Sequence, residues 1–218
     1  IAYFQSYTGT YGDLARLERI YTEAASQPDV VGLSIATRPD CLGPEALAML
    51  QRLSEKIPLW VELGLQTSNE ETARRINRCY PLATYEKAME NLAALNVHRI
   101  THVILGLPGE SREDMLQTVR YVAERTDGIK LQLLHVLEGT ALAGSYRRGE
   151  FRTLKPEEYY ELVADALELL PENVIIHRLT GDGAKRDLIA PLWSADKKRV
   201  LADLNRVLQS RNIRPAKC

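Results

Sequence analysis

Cysteine is scarce in this sequence, and the three thiols among 218 residues exclude several kinds of site. Cys41, Cys79 and Cys218 are widely separated and odd in number, which argues against a disulfide framework and favours a reducing cytoplasm. Neither a zinc site nor an iron–sulfur cluster run has such a spacing. We therefore expect three unrelated thiols, buried or at the surface.

An excess of charge and a long apolar run are also missing. The 28 Lys and Arg residues nearly balance the 29 Asp and Glu residues, so the net charge is −1 and no basic surface indicates nucleic acid. An RNA substrate held by a local patch stays open as an alternative. No apolar stretch reaches membrane-spanning length and no signal peptide is visible, so we expect no membrane contact.

The chain begins with Ile1 rather than Met, inside a predicted strand. We expect that an upstream segment of the same protein precedes it, and the missing targeting signal therefore excludes little. No low-complexity linker divides the sequence. We predict a single domain over residues 1–218, with a C-terminal helical extension.

Short apolar runs rich in Val, Ile and Leu alternate with longer amphipathic segments along the chain. The runs predict six strands, at Ile1–Gln5, Asp29–Thr37, Leu59–Thr67, Arg99–Gly106, Ile129–Leu137 and Val174–Leu179. The amphipathic segments predict seven helices, at Asp13–Ser26, Pro44–Lys56, Asn69–Arg78, Thr84–Leu95, Arg112–Arg125, Pro156–Leu170 and Ala195–Gln209. This alternation predicts an α/β fold of parallel strands with right-handed crossovers.

Start signals support three of these helices. Pro44 and Pro156 suit first-turn positions, and Ser111 with Asp114 resembles a capping box. Six parallel strands are too few to close an eight-stranded barrel. The sheet is therefore either open or an incomplete barrel whose first strand lies upstream of Ile1.

Polar side chains interrupt the predicted strands, although buried parallel strands are usually continuous apolar runs. Glu62 and Gln66 share one face of their strand, and His102, Lys130 and Gln132 lie on two later strands. A ligand-filled interior explains the whole set. A structural hydrogen-bond network explains any one of these residues equally well.

Two segments join the end of a predicted strand to the start of a helix. They are Glu62-Leu63-Gly64-Leu65-Gln66-Thr67 and Gly106-Leu107-Pro108-Gly109-Glu110. Ligands of parallel β/α sheets bind at this position, so the two segments predict an active-site face. Arg38 follows another strand, and we expect it to pair with Asp40 rather than with a substrate carboxylate.

Several segments, taken in order, resemble radical S-adenosylmethionine (SAM) enzymes of the branch that contains the elongator catalytic subunit and oxygen-independent coproporphyrinogen oxidase. They are Thr37-Arg38-Pro39-Asp40, Leu63-Gly64-Leu65-Gln66-Thr67, Ile76-Asn77-Arg78, His102-Val103-Ile104-Leu105-Gly106-Leu107-Pro108-Gly109-Glu110 and Glu138-Gly139-Thr140. Each segment is a weak signal alone, whereas their order across nearly the whole chain is specific. The resemblance implies a partial (β/α)6 TIM-like barrel that binds SAM, with its first strand and cluster loop absent from this chain.

The resemblance also implies a set of cofactor-binding residues, namely Gln66, Arg78, His102, Thr37, Glu62, Val136 and Leu137. Gln66 would bond the ribose or the methionyl end of SAM, and Arg78 would pair with the SAM carboxylate. His102 would take the place of an acidic ribose ligand. Val136 and Leu137 would flank the adenine, and Thr37 and Glu62 would supply second contacts. No catalytic residue is assigned.

The three-cysteine loop of this family, Cys-x3-Cys-x2-Cys, is missing from the chain. In the family these thiolates hold a [4Fe–4S] cluster that binds SAM. An electron from a donor then triggers the cleavage of SAM to a 5′-deoxyadenosyl radical. The resemblance therefore implies a radical SAM enzyme in the full-length protein, with cluster ligands upstream of Ile1 and an inactive fragment here. A non-catalytic nucleotide-binding or scaffold relative that has lost the cluster is the alternative. The substrate, a small molecule or an RNA, is left open.

Overall fold

The computed structural model describes residues 1–181, 183 and 185–213. Its strands are β1 (Ala2–Phe4), β2 (Leu33–Thr37), β3 (Leu59–Gln66), β4 (His98–Leu105), β5 (Gly128–Leu133), β6 (Val136–Leu137), β7 (Ile175–Arg178) and β8 (Leu188–Ala190). Its α-helices are α1 (Leu14–Ala25), α2 (Pro44–Ser54), α3 (Glu70–Arg75), α4 (Leu82–Ala93), α5 (Arg112–Ala123), α6 (Ala141–Arg147), α7 (Pro156–Leu169) and α8 (Lys197–Ser210). None of the helices in this described part is long and apolar enough to cross a membrane.

Six of the strands form one sheet in the order β1-β2-β3-β4-β5-β7. The pairs β1–β2 and β2–β3 are parallel, with Phe4 opposite Ile35 and Thr37 opposite Leu63. At least one helix lies in each connection between consecutive strands of this sheet, as parallel pairing requires. The predicted α/β fold is therefore confirmed.

The helix start signals are confirmed as well. α2 and α7 each carry proline in their first turn. A backbone N–H at this position has no acceptor within the helix, so its absence in proline costs no helix hydrogen bond. At the start of α5, Ser111 Oγ accepts from the Asp114 backbone N–H at 3.2 Å, and Asp114 Oδ2 accepts from the Ser111 backbone N–H at 2.8 Å. This reciprocal pair is the capping box that the spacing predicts.

The predicted strand Ile129–Leu137 is wrong as one continuous strand. β5 ends at Leu133, and the residues of β6 pair antiparallel with β8 in a separate two-stranded sheet. Val136 packs in a small apolar cluster with Ala143 and Ala190. The apolar run continues through the break, so hydrophobicity alone does not reveal it.

Two helices also depart from the prediction. α3 ends at Arg75, before the predicted end at Arg78, and Asn77 beyond it has a left-handed φ of 54°. Asparagine is among the residues that tolerate this conformation. α6 occupies a segment with no predicted helix, and the Thr140 side chain caps it by accepting from the Ala143 backbone N–H at 3.2 Å.

The chain divides into two compact units. Unit 1 comprises Ile1–Leu65, Tyr80–His102 and Arg125–Gly128, and unit 2 comprises Gln66–Cys79, Val103–Glu124 and Ile129–Cys218. In the core of unit 1, the Tyr85 hydroxyl lies 2.8 Å from Thr101 Oγ1. In the core of unit 2, buried Tyr159 donates to the Leu179 carbonyl at 2.9 Å. The single domain over residues 1–218 stays a prediction.

Candidate functional site

Unit 2 contains a cavity of about 650 Å³, which we call the Gln66 cavity. It is lined by Gln66, Arg75, Ile76, Asn77, Ile104, Leu107, Pro108, Gly109, Leu134, Ala141, Leu142, Ser145, Glu150 and Phe151. Its volume falls within the range of small-molecule sites, about 300–1,000 Å³. Side chains from β4, from the ends of β3 and α3, and from α6 therefore surround one ligand-sized space.

Gln66 is the last residue of β3 and has a left-handed φ of 70°. This backbone conformation costs a residue other than glycine about 1–2 kcal/mol. Among the described residues, no group forms a hydrogen bond with the Gln66 side-chain amide. Backbone strain of this kind clusters at functional sites, and an amide without a protein partner at a cavity wall is available to a ligand.

Thr67, the next residue, is fully buried and connects several segments of unit 2. Its hydroxyl donates to Glu110 Oε1 at 2.5 Å and accepts from the Asn69 backbone N–H at 3.0 Å. Thr118 Oγ1 of α5 lies 3.3 Å from the same hydroxyl oxygen. The Thr67 carbonyl accepts a hydrogen bond from Arg78 Nη1 at 2.7 Å. The loops that follow β3 and β4, which the sequence predicts as an active-site face, are therefore bonded to each other.

Glu110 is a partly buried carboxyl in the loop after β4. Burial raises the pKa of the Glu110 carboxyl above its usual value, and hydrogen bonds from Thr67 and Thr72 oppose part of that rise. The negative charge of Asp114 raises the pKa further. The bond between Thr67 and Glu110 therefore joins a buried hydroxyl to a carboxylate that accepts protons more readily than an exposed one.

Arg75, at the end of α3, also contacts the loop after β4. Its Nη1 donates to the Pro108 carbonyl at 2.8 Å, and its Nη2 donates to Glu71 Oε1 at 3.0 Å. Gly109 has a φ of 84°, and a Cβ atom at this position would overlap the Arg75 guanidinium. The backbone conformation therefore favours glycine at position 109, and a side chain there would also displace the far end of the Arg75 side chain.

Three residues of the predicted SAM-binding set lie in unit 2 but not in the lining of the Gln66 cavity. Arg78 is buried, with Nη1 on the Thr67 carbonyl and Nη2 at 3.1 Å from Glu70 Oε2. Val136 is buried in its apolar cluster, and Leu137 pairs with β8. The roles of Arg78, Val136 and Leu137 in SAM binding stay predictions.

Unit 1 contains a buried carboxylate, Glu62, which is 3% exposed and has at least three side-chain partners. Ser34 Oγ donates to Oε1 at 2.7 Å, and the Tyr3 hydroxyl donates to Oε2 at 3.0 Å. His102 Nε2 lies 2.7 Å from Oε2. These bonds satisfy a carboxylate that would otherwise be costly to bury. Glu62 and His102 are thus in direct contact, and their roles in SAM binding stay predictions.

Thr37 lies in a second polar cluster of unit 1. Its Oγ1 is 2.6 Å from Thr10 Oγ1, which in turn donates to the Cys41 carbonyl at 2.7 Å. Arg38 forms the predicted pair with Asp40, through two hydrogen bonds of 2.9 and 2.7 Å. The pairing of Arg38 is therefore confirmed, whereas a contact between Thr37 and SAM stays a prediction.

An iron–sulfur cluster does not fit the residues that the structure describes. Such a cluster needs three thiolates in the family, whereas the described cysteines are Cys41 and Cys79, both free. Within the same residues, no group of three or more His, Cys, Asp or Glu side chains could hold a metal ion. Cys218 lies outside the described residues. The reducing cytoplasm expected from the thiols stays a prediction.

Sequence reasoning missed the contacts of Thr67 with Glu110 and the place of Arg75 in the cavity. A positional signal existed for Thr67 and Glu110, because both residues lie where a strand is followed by a helix. No signal separates Arg75 from Arg74 or Arg78, since all three belong to one basic segment. Only the fold decides which of these side chains reaches the cavity.

Comparison with known proteins identifies the relatives of this chain. The radical SAM superfamily matches residues 2–122, and the Radical_SAM C-terminal domain matches residues 126–210. The Bacillus subtilis (strain 168) protein YtqA is 42% identical over 212 residues, which cover 97% of this chain and 66% of YtqA. The tRNA uridine(34) acetyltransferase of Dehalococcoides mccartyi (strain CBDB1) is 32% identical over 192 residues, which cover 86% of this chain and 40% of that protein. The chain therefore spans two thirds or less of the length of these relatives.

Among solved structures, the archaeal Elp3 of Methanocaldococcus infernus, with an N-terminal deletion (1–46), has a TM-score of 0.76 at 23% identity. The likeness covers 92% of this chain and 46% of Elp3, and it confirms the partial TIM-like barrel. The superfamily match extends over more than half of the chain. The chain belongs to the radical SAM superfamily.

Proposed function

We propose that the Gln66 cavity binds SAM and that the full-length protein is a radical SAM enzyme. One observation carries the proposal: a ligand-sized cavity whose wall includes the Gln66 amide, which has no hydrogen-bond partner among the described residues, in a chain of this superfamily. Superfamily membership supports the enzyme class. The volume and lining of the cavity support a ligand of nucleoside size.

The chemistry of the cavity wall suits the parts of SAM. Apolar surface for a flat adenine ring comes from Ile104, Leu107, Leu134, Leu142 and Phe151. The amides of Gln66 and Asn77 can donate hydrogen bonds to the ligand and accept them from it. Arg75 and Glu150 add one charge of each sign, which matches the zwitterionic methionyl end of SAM.

SAM supplies a 5′-deoxyadenosyl radical only beside a reduced [4Fe–4S] cluster, and the described residues hold no ligand set for one. We assign the cluster ligands, and the site of the electron donor, to parts of the full-length protein outside this chain. The tasks left to this chain are to bind SAM, to orient it through Gln66 and to exclude water with the apolar wall.

The proposed substrate class follows from the relatives. The D. mccartyi relative is named for tRNA uridine(34), which favours an RNA substrate over a small molecule for the protein that contains this chain. Deletion of the gene should remove or change one modified tRNA nucleoside, which mass spectrometry of digested tRNA would detect. An unchanged set of tRNA nucleosides would contradict the RNA substrate and favour the small molecule.

Calorimetry with SAM tests the cavity in the full-length protein, reconstituted anaerobically with iron and sulfide. We expect Gln66→Leu to weaken SAM binding about five- to tenfold, because one lost hydrogen bond is worth roughly 1–1.4 kcal/mol. Gln51→Leu, an exposed change on α2, is the matched control and should leave the affinity unchanged. Equal affinities of the two variants would remove Gln66 from the site.

The same preparation separates an enzyme from the non-catalytic alternative. With SAM and a strong reductant, an enzyme forms 5′-deoxyadenosine, which chromatography detects. A scaffold relative would form none and would not show the absorbance of a [4Fe–4S] cluster. The isolated chain of 218 residues should stay colourless after iron and sulfide treatment. A brown product from the isolated chain would contradict our assignment of the cluster ligands.

A further inference from the structure

We propose that Tyr7 and Tyr11 stack on bases of an RNA substrate and that Arg16 and Arg19 bind its phosphates. This inference rests on the proposed function, because it concerns the RNA named there as the substrate. The tyrosines lie in residues 5–13, which connect β1 to α1 and which we call the β1 loop, and the arginines lie in α1. Loops that follow the carboxyl ends of strands in a parallel β/α sheet are where such folds bind their ligands.

Both tyrosines of the β1 loop face solvent. Tyr7 is 99% exposed and Tyr11 is 76% exposed, and neither hydroxyl has a hydrogen-bond partner among the described residues. Tyr7 also has a left-handed φ of 61°, which strains any residue other than glycine. A fully exposed ring buries no surface that would offset this strain. Tyr7 therefore suits contact with another molecule rather than stabilisation of the described fold.

The β1 loop is held in place at Gly9, between the two tyrosines. The Gly9 N–H donates to the Ala36 carbonyl at 2.9 Å, and the Gly9 carbonyl accepts from the Tyr21 hydroxyl at 2.5 Å. A Cβ atom at position 9 would lie 2.7 Å from Ile35 Cγ2, so the loop packs closely on β2. The backbone that carries the tyrosines is therefore fixed before any ligand binds, which lowers the entropy cost of binding.

A turn keeps the two tyrosines near each other. The Tyr11 N–H donates to the Thr8 carbonyl at 3.1 Å, the hydrogen bond of a four-residue turn. Tyr7 directly precedes Thr8 in the sequence. The β1 loop therefore presents two aromatic rings from one short stretch of chain.

Arg16 and Arg19 supply positive charge beside the β1 loop. They are three residues apart on α1, so they share one face of the helix, and both are exposed. Neither guanidinium pairs with a carboxylate of the described residues. Asp13 is engaged as the cap of α1, where it accepts from the Arg16 backbone N–H at 3.1 Å. Glu18 is engaged with Arg52 at 2.7 Å. Two cations are therefore available to phosphates where α1 follows the loop.

Aromatic rings beside cations are the combination that binds single-stranded RNA. Every base has a flat π-face that stacks on tyrosine, and each nucleotide also carries a phosphate for an arginine. An apolar protein partner would instead need a contiguous apolar patch. The residues around the tyrosines, Ser6, Gly12 and Asp13, are exposed and small or polar. The surface therefore fits RNA better than it fits an apolar protein interface.

The test measures tRNA binding by the full-length protein over a series of salt concentrations. The probe is total tRNA from the gene-deletion strain, and filter binding gives its affinity. The variants are Tyr7→Leu, Tyr7→Phe, Tyr11→Leu, Arg16→Gln and Arg19→Gln. Val31→Ala and Lys56→Gln are the matched controls, since Val31 is 70% exposed before β2 and Lys56 is exposed beyond the end of α2. Thermal unfolding shows whether each variant is folded.

We expect Tyr7→Leu and Tyr11→Leu each to weaken tRNA binding about five- to hundredfold at every salt concentration, because each removes the stacking of one base. Tyr7→Phe keeps the ring and should bind like the wild type. Arg16→Gln and Arg19→Gln should each reduce the slope of log affinity against log salt by about 0.7, the change for one phosphate contact on a single strand. The tyrosine variants should leave this slope unchanged.

Both control variants should match the wild type in affinity and in slope. If Tyr7→Leu and Tyr11→Leu bound tRNA like Val31→Ala, the inference would be wrong while an RNA substrate stood. A lower unfolding midpoint with unchanged tRNA affinity would also overturn it, because another part of the full-length protein would then cover the tyrosines. If the wild-type protein bound no tRNA, the inference would fail, and the tRNA nucleosides of the deletion strain would decide whether the RNA substrate fails with it.

Discussion

Replacing Thr67 by valine tests whether a single buried hydroxyl holds the loops after β3 and β4 together. Valine has nearly the shape of threonine, so the change removes the hydroxyl and leaves no large cavity. That hydroxyl is bonded to Glu110 Oε1 at 2.5 Å and to the Asn69 N–H at 3.0 Å, and Thr67 is 0% exposed. Solvent therefore cannot take its place without local rearrangement.

The magnitude follows from these two bonds. A hydrogen bond to a charged group contributes about 1.5–3 kcal/mol, and a buried N–H left without an acceptor costs about 1–3 kcal/mol. The two contributions overlap, because Glu110 is only partly buried and can turn toward water. We therefore expect Thr67→Val to lower the free energy of unfolding by about 2–4 kcal/mol. Thr67→Ser keeps the hydroxyl and should cost only about 1 kcal/mol for the lost methyl group.

Urea unfolding followed by far-ultraviolet circular dichroism measures these differences. Thr22→Val, on the exposed face of α1, is the matched control and should change the free energy of unfolding by no more than about 0.5 kcal/mol. A loss for Thr67→Val no larger than that for Thr67→Ser would refute the reasoning. It would show that the methyl group of Thr67 is needed and that the hydroxyl contributes no net stability.

Two further predictions concern the loop after β4. Burial raises the pKa of Glu110, so the folded state binds the proton more tightly than the unfolded chain, and this contribution to stability is lost as pH rises through the raised pKa. Glu110→Gln should therefore gain stability relative to the wild type as pH rises above about 4.5 and through the raised pKa, and a constant difference in urea midpoint would contradict the raised pKa. Gly109→Ala should lower both stability and SAM affinity, because its Cβ would displace Arg75. Gly139→Ala, with a φ of 75° and no atom of the described residues within 4 Å of its Cβ, should lose only about 1–2 kcal/mol from backbone strain. Equal thermal midpoints of the two alanine variants would show that Arg75 moves aside without cost.

The sheet and most helices could be predicted because their signals are local. The apolar run of β3, the first-turn prolines of α2 and α7, and the capping box of Ser111 and Asp114 each act over a few residues. The break between β5 and β6 could not be predicted in this way. Leu134 N–H donates to the Leu105 carbonyl at 2.9 Å, and the next apolar residue, Val136, packs elsewhere. Both facts depend on contacts with distant segments.

The candidate site could be predicted only in part. Gln66 is singled out by its position at a strand end and by the resemblance to radical SAM enzymes, and it does line the cavity. Arg78 is singled out by the same resemblance, yet it lies buried against Thr67. Arg75 rather than Arg78 belongs to the cavity lining, and this depends on the early end of α3, which the left-handed turn at Asn77 accompanies. Tertiary contacts, which no local pattern records, decide it.

The fit of Arg75 against Gly109 makes the two positions dependent on each other during evolution. A side chain at position 109 is strained by the φ of 84° whatever residue stands at position 75, and beside Arg75 it must also displace the guanidinium. Homologues that carry arginine at the first position should therefore carry glycine at the second. Lineages that lose the arginine should still keep the glycine, because a φ of 84° disfavours every other residue.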